Sequence, residues 1–160
     1  MVLFAQELKY ETKEKDIYLY DSTSHLLYNK DNKINSWNTD CGIDTNEKVT
    51  SFYPLLRNSL SEKHIQELAY KKAILIIGLS IDATGCTKEV FFVLNPIMEE
   101  YLNKNKDFID EIDTFENLLI NKQIKVLTDL KKQGHYKVFA GIRFHLLYNW
   151  ILEQANLSND

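Results

Sequence analysis

The feature that most constrains the fold is a pair of apolar segments, residues 73–82 and 87–94, joined by a short stretch with turn chemistry. Both segments place apolar side chains at every second position, which is the period of a β-strand with one buried face. Gly85, the last residue of the linking Asp82-Ala83-Thr84-Gly85, can adopt the positive φ of a bulged turn. The stretch therefore predicts a β-hairpin with one apolar face.

Helices are predicted on both sides of this hairpin. Ser59 followed by Glu62 fits a capping box, so we expect a helix over residues 59–70. Asn95-Pro96 ends the second strand and begins another helix, because asparagine can cap and proline suits the first helical position.

The last third of the chain predicts one longer helix and one more strand. Apolar residues at helical spacing favour a helix over residues 108–130, ended by Gly134. Residues 136–147 alternate between apolar and polar, which is typical of an antiparallel strand with one buried face. After Tyr148 we expect either a short helix or a frayed end.

The segment 7–50 is polar and rich in tyrosine, and its pattern is weaker. Residues 16–20 and 26–28 are candidate paired strands, and residues 29–38 have the composition of a loop. We therefore expect an irregular or β-rich segment here.

Together these elements predict an α+β fold, in which a small antiparallel sheet built around the hairpin carries helices on one face. The chain has 160 residues, which fits a single domain over residues 7–160 with its core in 52–147. The net charge is −4 and the lysines are scattered among acidic residues, so nucleic acid is not an expected partner. No apolar run approaches the ~20 residues that span a bilayer.

The order of these elements resembles the carboxy-terminal domain of TonB-type energy transducers. The matching segments are the strands 74–82, 88–94 and 136–144, the Asp82-Ala83-Thr84-Gly85 turn and the helix around 115–119, within residues 52–147. The family's membrane anchor and proline-rich spacer have no counterpart in this sequence, so the resemblance implies the fold without energy transduction. It also implies that the last strand receives an extended partner peptide, with these candidate contact residues: Phe139, Gly141, Arg143 and His145.

The N-terminus and the cysteines bear on the compartment. Residues 1–6 resemble the end of a secretory signal peptide, because Val2-Leu3-Phe4-Ala5 is apolar and ends in a small residue. We therefore expect a periplasmic or secreted protein, with a cytoplasmic one as the alternative. Cys41 and Cys86 are the only cysteines, and they predict either one disulfide or two free thiols.

No catalytic, cofactor-binding or metal-ligating residues are predicted. The four histidines lack converging partners in sequence, and Asp40-Cys41-Gly42 has no adjacent base to activate its thiol. The acidic residues Asp107, Asp110, Glu111, Asp113 and Glu116 are expected to form the solvated face of a helix.

We therefore expect a non-enzymatic envelope protein that binds another protein through a sheet edge. The alternative is a small-molecule or glycan binding protein that uses an aromatic surface near the N-terminal segment, although the same rings could simply cover the back of the sheet. A hydrolase assembled from distant segments is a third possibility. The aromatic candidates are Tyr10, Tyr18, Tyr20, Tyr28, Tyr53 and Trp37.

Overall fold

The centre of the protein is a seven-stranded sheet, seen in a computed structural model that describes residues 7–158. Its strands are β1 (Glu7–Glu11), β2 (Ile17–Asp21), β3 (Leu26–Asn29), β4 (Asp40–Cys41), β5 (Ile74–Asp82), β6 (Thr87–Val93) and β7 (His135–Arg143). Across the sheet they follow the order β1-β2-β3-β6-β5-β7-β4. All neighbours are antiparallel except β4, which pairs in parallel with β7.

Helices cover one face of this sheet. They are α1 (Thr45–Glu47), α2 (Tyr53–Ser59), α3 (Glu62–Tyr70), α4 (Pro96–Lys104), α5 (Phe108–Leu119) and α6 (Phe144–Leu157), with a π-helical segment Lys48–Phe52 between α1 and α2. Phe92 of β6 packs against Phe115 of α5, with ring centroids 6.3 Å apart. The predicted α+β fold with a mostly antiparallel sheet is confirmed. No helix in the described part of the chain combines the length and apolar character that crossing a bilayer requires.

The predicted hairpin is confirmed as the pair β5 and β6. Ile77 pairs with Phe92, and both side chains are fully buried beneath the helices. At the turn Gly85 has φ 88°, and the Asp82 carboxylate accepts hydrogen bonds from the backbone N–H groups of Thr84 and Cys86. Gly85 thus has the positive φ that the sequence predicted, and Asp82 stabilises the turn by hydrogen bonds to its backbone.

The helix cap predicted at Ser59 is wrong by two residues. Ser59 ends α2, where its hydroxyl donates to the Leu55 carbonyl. The N-cap of α3 is Ser61, whose Oγ accepts from the His64 N–H. Asn95 caps α4 as predicted, accepting from the Met98 N–H at 2.9 Å.

The helix predicted over residues 108–130 ends at Leu119. Asn121 takes a positive φ of 69°, which stops the helix, and its N–H donates to the Thr87 carbonyl. The Ile124 N–H then donates to the carbonyl of Gly85. The segment after α5 is therefore fixed by the hairpin turn, and a helical continuation would lose these bonds.

The strand predicted over residues 136–147 stops at Arg143, and α6 begins at Phe144. The Phe144 N–H donates to the Ala73 carbonyl, which is the last rung of the ladder with β5. Phe144 and Leu147 are buried, and their spacing of three suits a helix. His145, predicted on the strand, therefore lies in the first turn of α6.

In the N-terminal segment the candidate strands 16–20 and 26–28 are confirmed as β2 and β3, which pair directly. The sequence analysis did not assign β1, although its five residues alternate between polar and apolar. Residues 30–39, here named the crossing loop, have no regular structure. The predicted signal-peptide remnant, residues 1–6, lies outside the described residues.

Candidate functional site

The sheet has a second face that the helices do not cover, here named the open face. One row of residues crosses it in register over four strands: Tyr28, Phe91, Gly78 and Phe139. Large apolar side chains on this face are half-buried or exposed, and Phe139 keeps 38% of its surface accessible. A contiguous apolar patch of this kind marks an interaction site more often than a chance feature.

Gly78 lets the aromatic rings meet across the sheet. A Cβ at this position would lie 2.1 Å from the ring of Phe91, so any other residue would displace that ring. The Phe91 ring lies over Gly78 and meets Phe139 edge to face, with centroids 5.8 Å apart. The space that a side chain at Gly78 would take is therefore filled by the Phe91 ring, which lines a groove on this face.

The crossing loop forms one wall of this groove. It is anchored to β6 at its start, where the Asn32 side chain donates to the Val90 carbonyl at 2.8 Å. The backbone N–H groups of Lys33 and Ile34 donate to the two carboxylate oxygens of Glu89. At its other end the Asn38 N–H donates to the carbonyl of His135 on β7. The loop thus passes over the open face, attached to strands on both sides.

Trp37 is the part of the crossing loop that packs onto the sheet. Its indole N–H donates to the Ser80 hydroxyl at 2.9 Å. Ser80 lies on the open face but is only 1% exposed, because the loop covers it. This side-chain hydrogen bond fixes the ring at the edge of the groove.

Lys137 provides a positive charge next to these rings. Its Nζ lies 3.9 Å from the centroid of the Trp37 ring and 5.9 Å from those of Phe91 and Phe139. Cation–π attraction therefore holds the ammonium at the groove. Among residues 7–158, no ion pair includes Lys137.

These residues enclose a groove of about 300 Å³, here named the open-face groove, which Leu26, Ile34 and Val93 complete. This volume is at the lower end of the range typical of small-molecule sites. Burial, and then the carboxylates of Glu7 and Asp21, raise the pKa of Tyr28, so its hydroxyl stays protonated. Most of the residues that line the groove are apolar or aromatic.

Two of the aromatic candidates from the sequence, Tyr28 and Trp37, lie in the groove. Four others lie on the helix side, where they are buried: Tyr10, Tyr18, Tyr20 and Tyr53. The sequence analysis missed Phe91 and Lys137. One signal for Phe91 was present, since Val90-Phe91-Phe92-Val93 is apolar without a break and so suggests contacts on both faces.

Of the four residues predicted to bind a peptide along the last strand, three lie on β7 and one does not. Phe139 lines the open-face groove, and Arg143 ends β7. The Gly141 carbonyl accepts from Lys48 Nζ at 3.3 Å. His145 lies on α6, which corrects its assignment to the strand. β7 is also not the outermost strand, because β4 pairs with its first half.

The disulfide alternative is not realised, because Cys41 and Cys86 are both free. Cys41 is buried in β4 beside β7. Cys86 follows the hairpin turn, and its backbone forms an isolated antiparallel β-bridge with Gln123. A buried thiol in β4 also fits poorly with a reactive nucleophile, which needs access to substrate.

The helix face holds the one group of described residues in which three potential metal ligands converge: His64, Asp107 and Glu111, with one ligand atom from each lying within 4.8 Å of the others. His64 is buried, and its partners come from a helix more than 40 residues away in the chain. Its Nδ1 meets Glu111, which also accepts the Ser61 N–H, while its Nε2 lies 3.9 Å from Asp107. The N-termini of α3 and α5 meet here, which disfavours a cation. The group therefore fits a hydrogen-bonded link between the two helices.

The expected solvated face of α5 is wrong for two of its acidic residues. Asp113 and Glu116 are 4% and 5% exposed. The Tyr18 hydroxyl on β2 lies 3.0 Å from Asp113 Oδ1 and 2.8 Å from Glu116 Oε2. Burial raises the pKa of Glu116 to about 7 and that of Asp113 to about 6, although the Tyr18 hydrogen bonds act in the opposite direction.

Comparison with known proteins bears on the fold. No protein-family model matches the sequence, and no curated protein matches it. Among solved structures, the chain is similar to a DUF5043 family protein from Bacteroides uniformis, with a TM-score of 0.58 and 17% sequence identity. The alignment covers 89% of this chain and 88% of the other. At this identity the similarity concerns the fold alone.

Proposed function

We propose that the protein is a non-enzymatic binding protein whose open-face groove takes a small ligand with an apolar body. The observation that carries this proposal is the row Tyr28, Phe91, Gly78 and Phe139, in which the glycine leaves room for the Phe91 ring to lie over β5 beside Phe139. Exposed aromatic faces offer a large contact area to a ligand at low conformational cost. The likeness to TonB-type domains and the export of the chain stay predictions from the sequence.

The chemistry of the lining supports binding rather than catalysis. The Ser80 hydroxyl accepts the Trp37 N–H, and both Glu89 oxygens accept backbone N–H groups of the crossing loop. The described lining contains no histidine or cysteine. Ser80, the aliphatic hydroxyl of the lining, is only 1% exposed beneath the crossing loop, whereas a catalytic nucleophile needs access to its substrate.

The proposal predicts that the groove binds a neutral fluorescent probe, N-phenyl-1-naphthylamine. The Gly78→Ala variant is expected to lose this binding at least tenfold, because the new Cβ must push the Phe91 ring into the groove. Overpacking of this kind costs about 1–3 kcal/mol of stability, so the variant's fold is checked by circular dichroism. The measurement is probe fluorescence during titration.

Gly141→Ala is the matched control, because it makes the same change on the same face with no atom within 4 Å of the new Cβ. A second pair compares Phe139→Ala with Leu118→Ala, whose side chains are 38% and 39% exposed on opposite sides of the sheet. Probe binding should fall for Phe139→Ala and persist for both controls. Equal binding by Gly78→Ala, Phe139→Ala and the native protein would contradict the proposal.

A second candidate is a protein partner whose extended segment pairs with β7. One observation favours it: β4 pairs only with Lys137 and Val138, so the rest of β7 lacks a strand neighbour on that side in the described chain. Lys48 Nζ already donates to a carbonyl on β7, however, which makes this edge the weaker site. A peptide-library selection that returns no extended binder would argue against it.

A further inference from the structure

We infer that the ligand of the open-face groove is an organic anion, a carboxylate with an apolar body, and that Lys137 recognises its charged end. This inference rests on the proposed function and adds the class of ligand.

The charge of Lys137 is held at the groove without being neutralised. Three aromatic rings surround its Nζ at 3.9 to 5.9 Å, which attracts the ammonium but leaves its charge in place. The ion pairs formed within residues 7–158 do not include it. A charge beside apolar surface loses part of its hydration, and a bound anion would offset that loss with a charge-assisted hydrogen bond.

The acidic group of the lining is already occupied. Glu89 accepts the Lys33 N–H at 2.7 Å with one oxygen and the Ile34 N–H at 2.8 Å with the other. These bonds hold the crossing loop, so a cationic ligand could use this carboxylate only in competition with them. The Trp37 ring also already binds one cation, Lys137. Charge complementarity therefore favours an anion over a cation.

The polar and apolar groups of the groove are also separated in space. Glu89, Ser80 and Lys137 form one row across the sheet, and Tyr28, Phe91 and Phe139 form the next. A ligand with its carboxylate at Lys137 would therefore lay its apolar body over the neighbouring aromatic row. This order of charge and apolar surface matches an amphipathic molecule with one anionic end.

The test compares three ligands with the same eight-carbon chain: n-octanoate, 1-octanol and n-octylammonium. All three are optically transparent, so Trp37 fluorescence reports binding directly in a Trp150→Phe background, since Trp37 and Trp150 are the only tryptophans. Octanoate should bind at least tenfold more tightly than octanol, which corresponds to about 1.4 kcal/mol. Octylammonium should bind no better than octanol.

In the Lys137→Met variant, the affinity for octanoate should fall to within twofold of the affinity for octanol, and the affinity for octanol should stay unchanged. The Lys137→Arg variant should retain most of the preference for octanoate. Lys63→Met is the control, because it makes the same charge change at an exposed position on α3. Equal affinity for octanoate and octanol in the native protein, or a preference that survives Lys137→Met, would overturn the inference while octanol binding still supports the proposed function. If none of the three ligands binds, the inference fails, and the probe titration decides the proposed function separately.

Discussion

At the scale of single residues, the contact between β2 and α5 places two carboxyl groups around one hydroxyl. The Tyr18 hydroxyl has a single hydrogen, yet it lies within hydrogen-bond distance of both Asp113 and Glu116. Burial is the main cause of the raised pKa of both carboxyls, and the charge of Asp113 raises that of Glu116 further. A protonated carboxyl would supply the second hydrogen and remove one of two like charges.

This arrangement predicts a protein that loses stability as pH rises through the neutral range. The pKa of Glu116 is about 7 in the folded chain against an ordinary value of 4.5, so the folded state holds a proton that the unfolded state has released. Between these two values the free energy of unfolding therefore falls with pH. Glu116→Gln should flatten this dependence and remove a loss on the order of 2–3 kcal/mol. Urea denaturation at pH 5 and pH 8 measures it.

Glu153→Gln is the control for this change, because Glu153 is exposed on α6. Its pH dependence should match that of the native protein. A Glu116→Gln variant that keeps the full native slope between pH 5 and pH 8 would show that another group is responsible.

The burial of Asp113 and Glu116 could not be predicted from the sequence. In the sequence, each of these residues comes directly after an apolar residue of α5, which is the pattern of the polar face of an amphipathic helix. Their burial depends on a tyrosine 95 and 98 residues away, whose hydroxyl meets them only in the folded chain. Local patterns carry no information about a partner at that distance.

At the scale of elements, the start of α3 depends on one serine. Ser61 Oγ accepts the His64 N–H, which satisfies a backbone donor that the helix itself leaves free. The hydroxyl of Ser59 donates to the Leu55 carbonyl, a group that the helix already uses. The two serines therefore differ in what their hydroxyls contribute.

We expect Ser61→Ala to lower the free energy of unfolding by about 0.5–2 kcal/mol, as for other lost N-caps. Ser59→Ala should change it by less than about 0.5 kcal/mol, because a serine bonded back to its own helix adds little. Chemical denaturation of both variants measures the difference. A larger loss of stability in Ser59→Ala than in Ser61→Ala would indicate that Ser59 is the N-cap of α3.

Elements with a long, regular period were predictable, and their ends were not. β5 and β6 follow from the apolar residues at every second position on both sides of the Asp82-Ala83-Thr84-Gly85 turn, and α4 from Asn95-Pro96. The end of β7 was missed because residues 144–147 are apolar enough to continue a strand or to begin a helix. The end of α5 was missed because its stop comes from bonds to the hairpin turn. Boundaries set by tertiary contacts leave little trace in the local sequence.

At the scale of the whole molecule, the two tryptophans report on opposite sides of the sheet. Trp37 bonds to Ser80 on the open face, whereas Trp150 packs against Tyr53 and lies 5.2 Å from Arg57 among the helices. A single cooperative domain should unfold both environments together. We therefore expect Trp37→Phe and Trp150→Phe variants to show one transition each, with fluorescence and circular dichroism midpoints that coincide within each variant.

Separate midpoints in the Trp150→Phe variant would mean that the crossing loop detaches before the sheet unfolds. Its attachment to Glu89 and His135 involves few bonds, so this is the part of the molecule where a local opening would begin.

The open-face groove could be predicted only in part. The aromatic content of residues 7–50 pointed to a binding surface, and Phe139 interrupted the alternation of its strand. The groove itself unites the crossing loop, β6 and β7, which are far apart in the chain. Two contacts follow from no local pattern: the position of Lys137 over the Trp37 ring, and the packing of the Phe91 ring on Gly78.

The two faces of the sheet differ in how much their side chains contribute to the core. Stability comes mainly from the side chains under the helices, whereas Leu26, Tyr28 and Phe139 contribute little to that core. On the proposed function, substitutions at these three positions should therefore change which ligand the groove binds, while the backbone of the sheet stays the same. The protein is for this reason a suitable scaffold for selecting new ligand preferences, with the mutations confined to one side of the sheet.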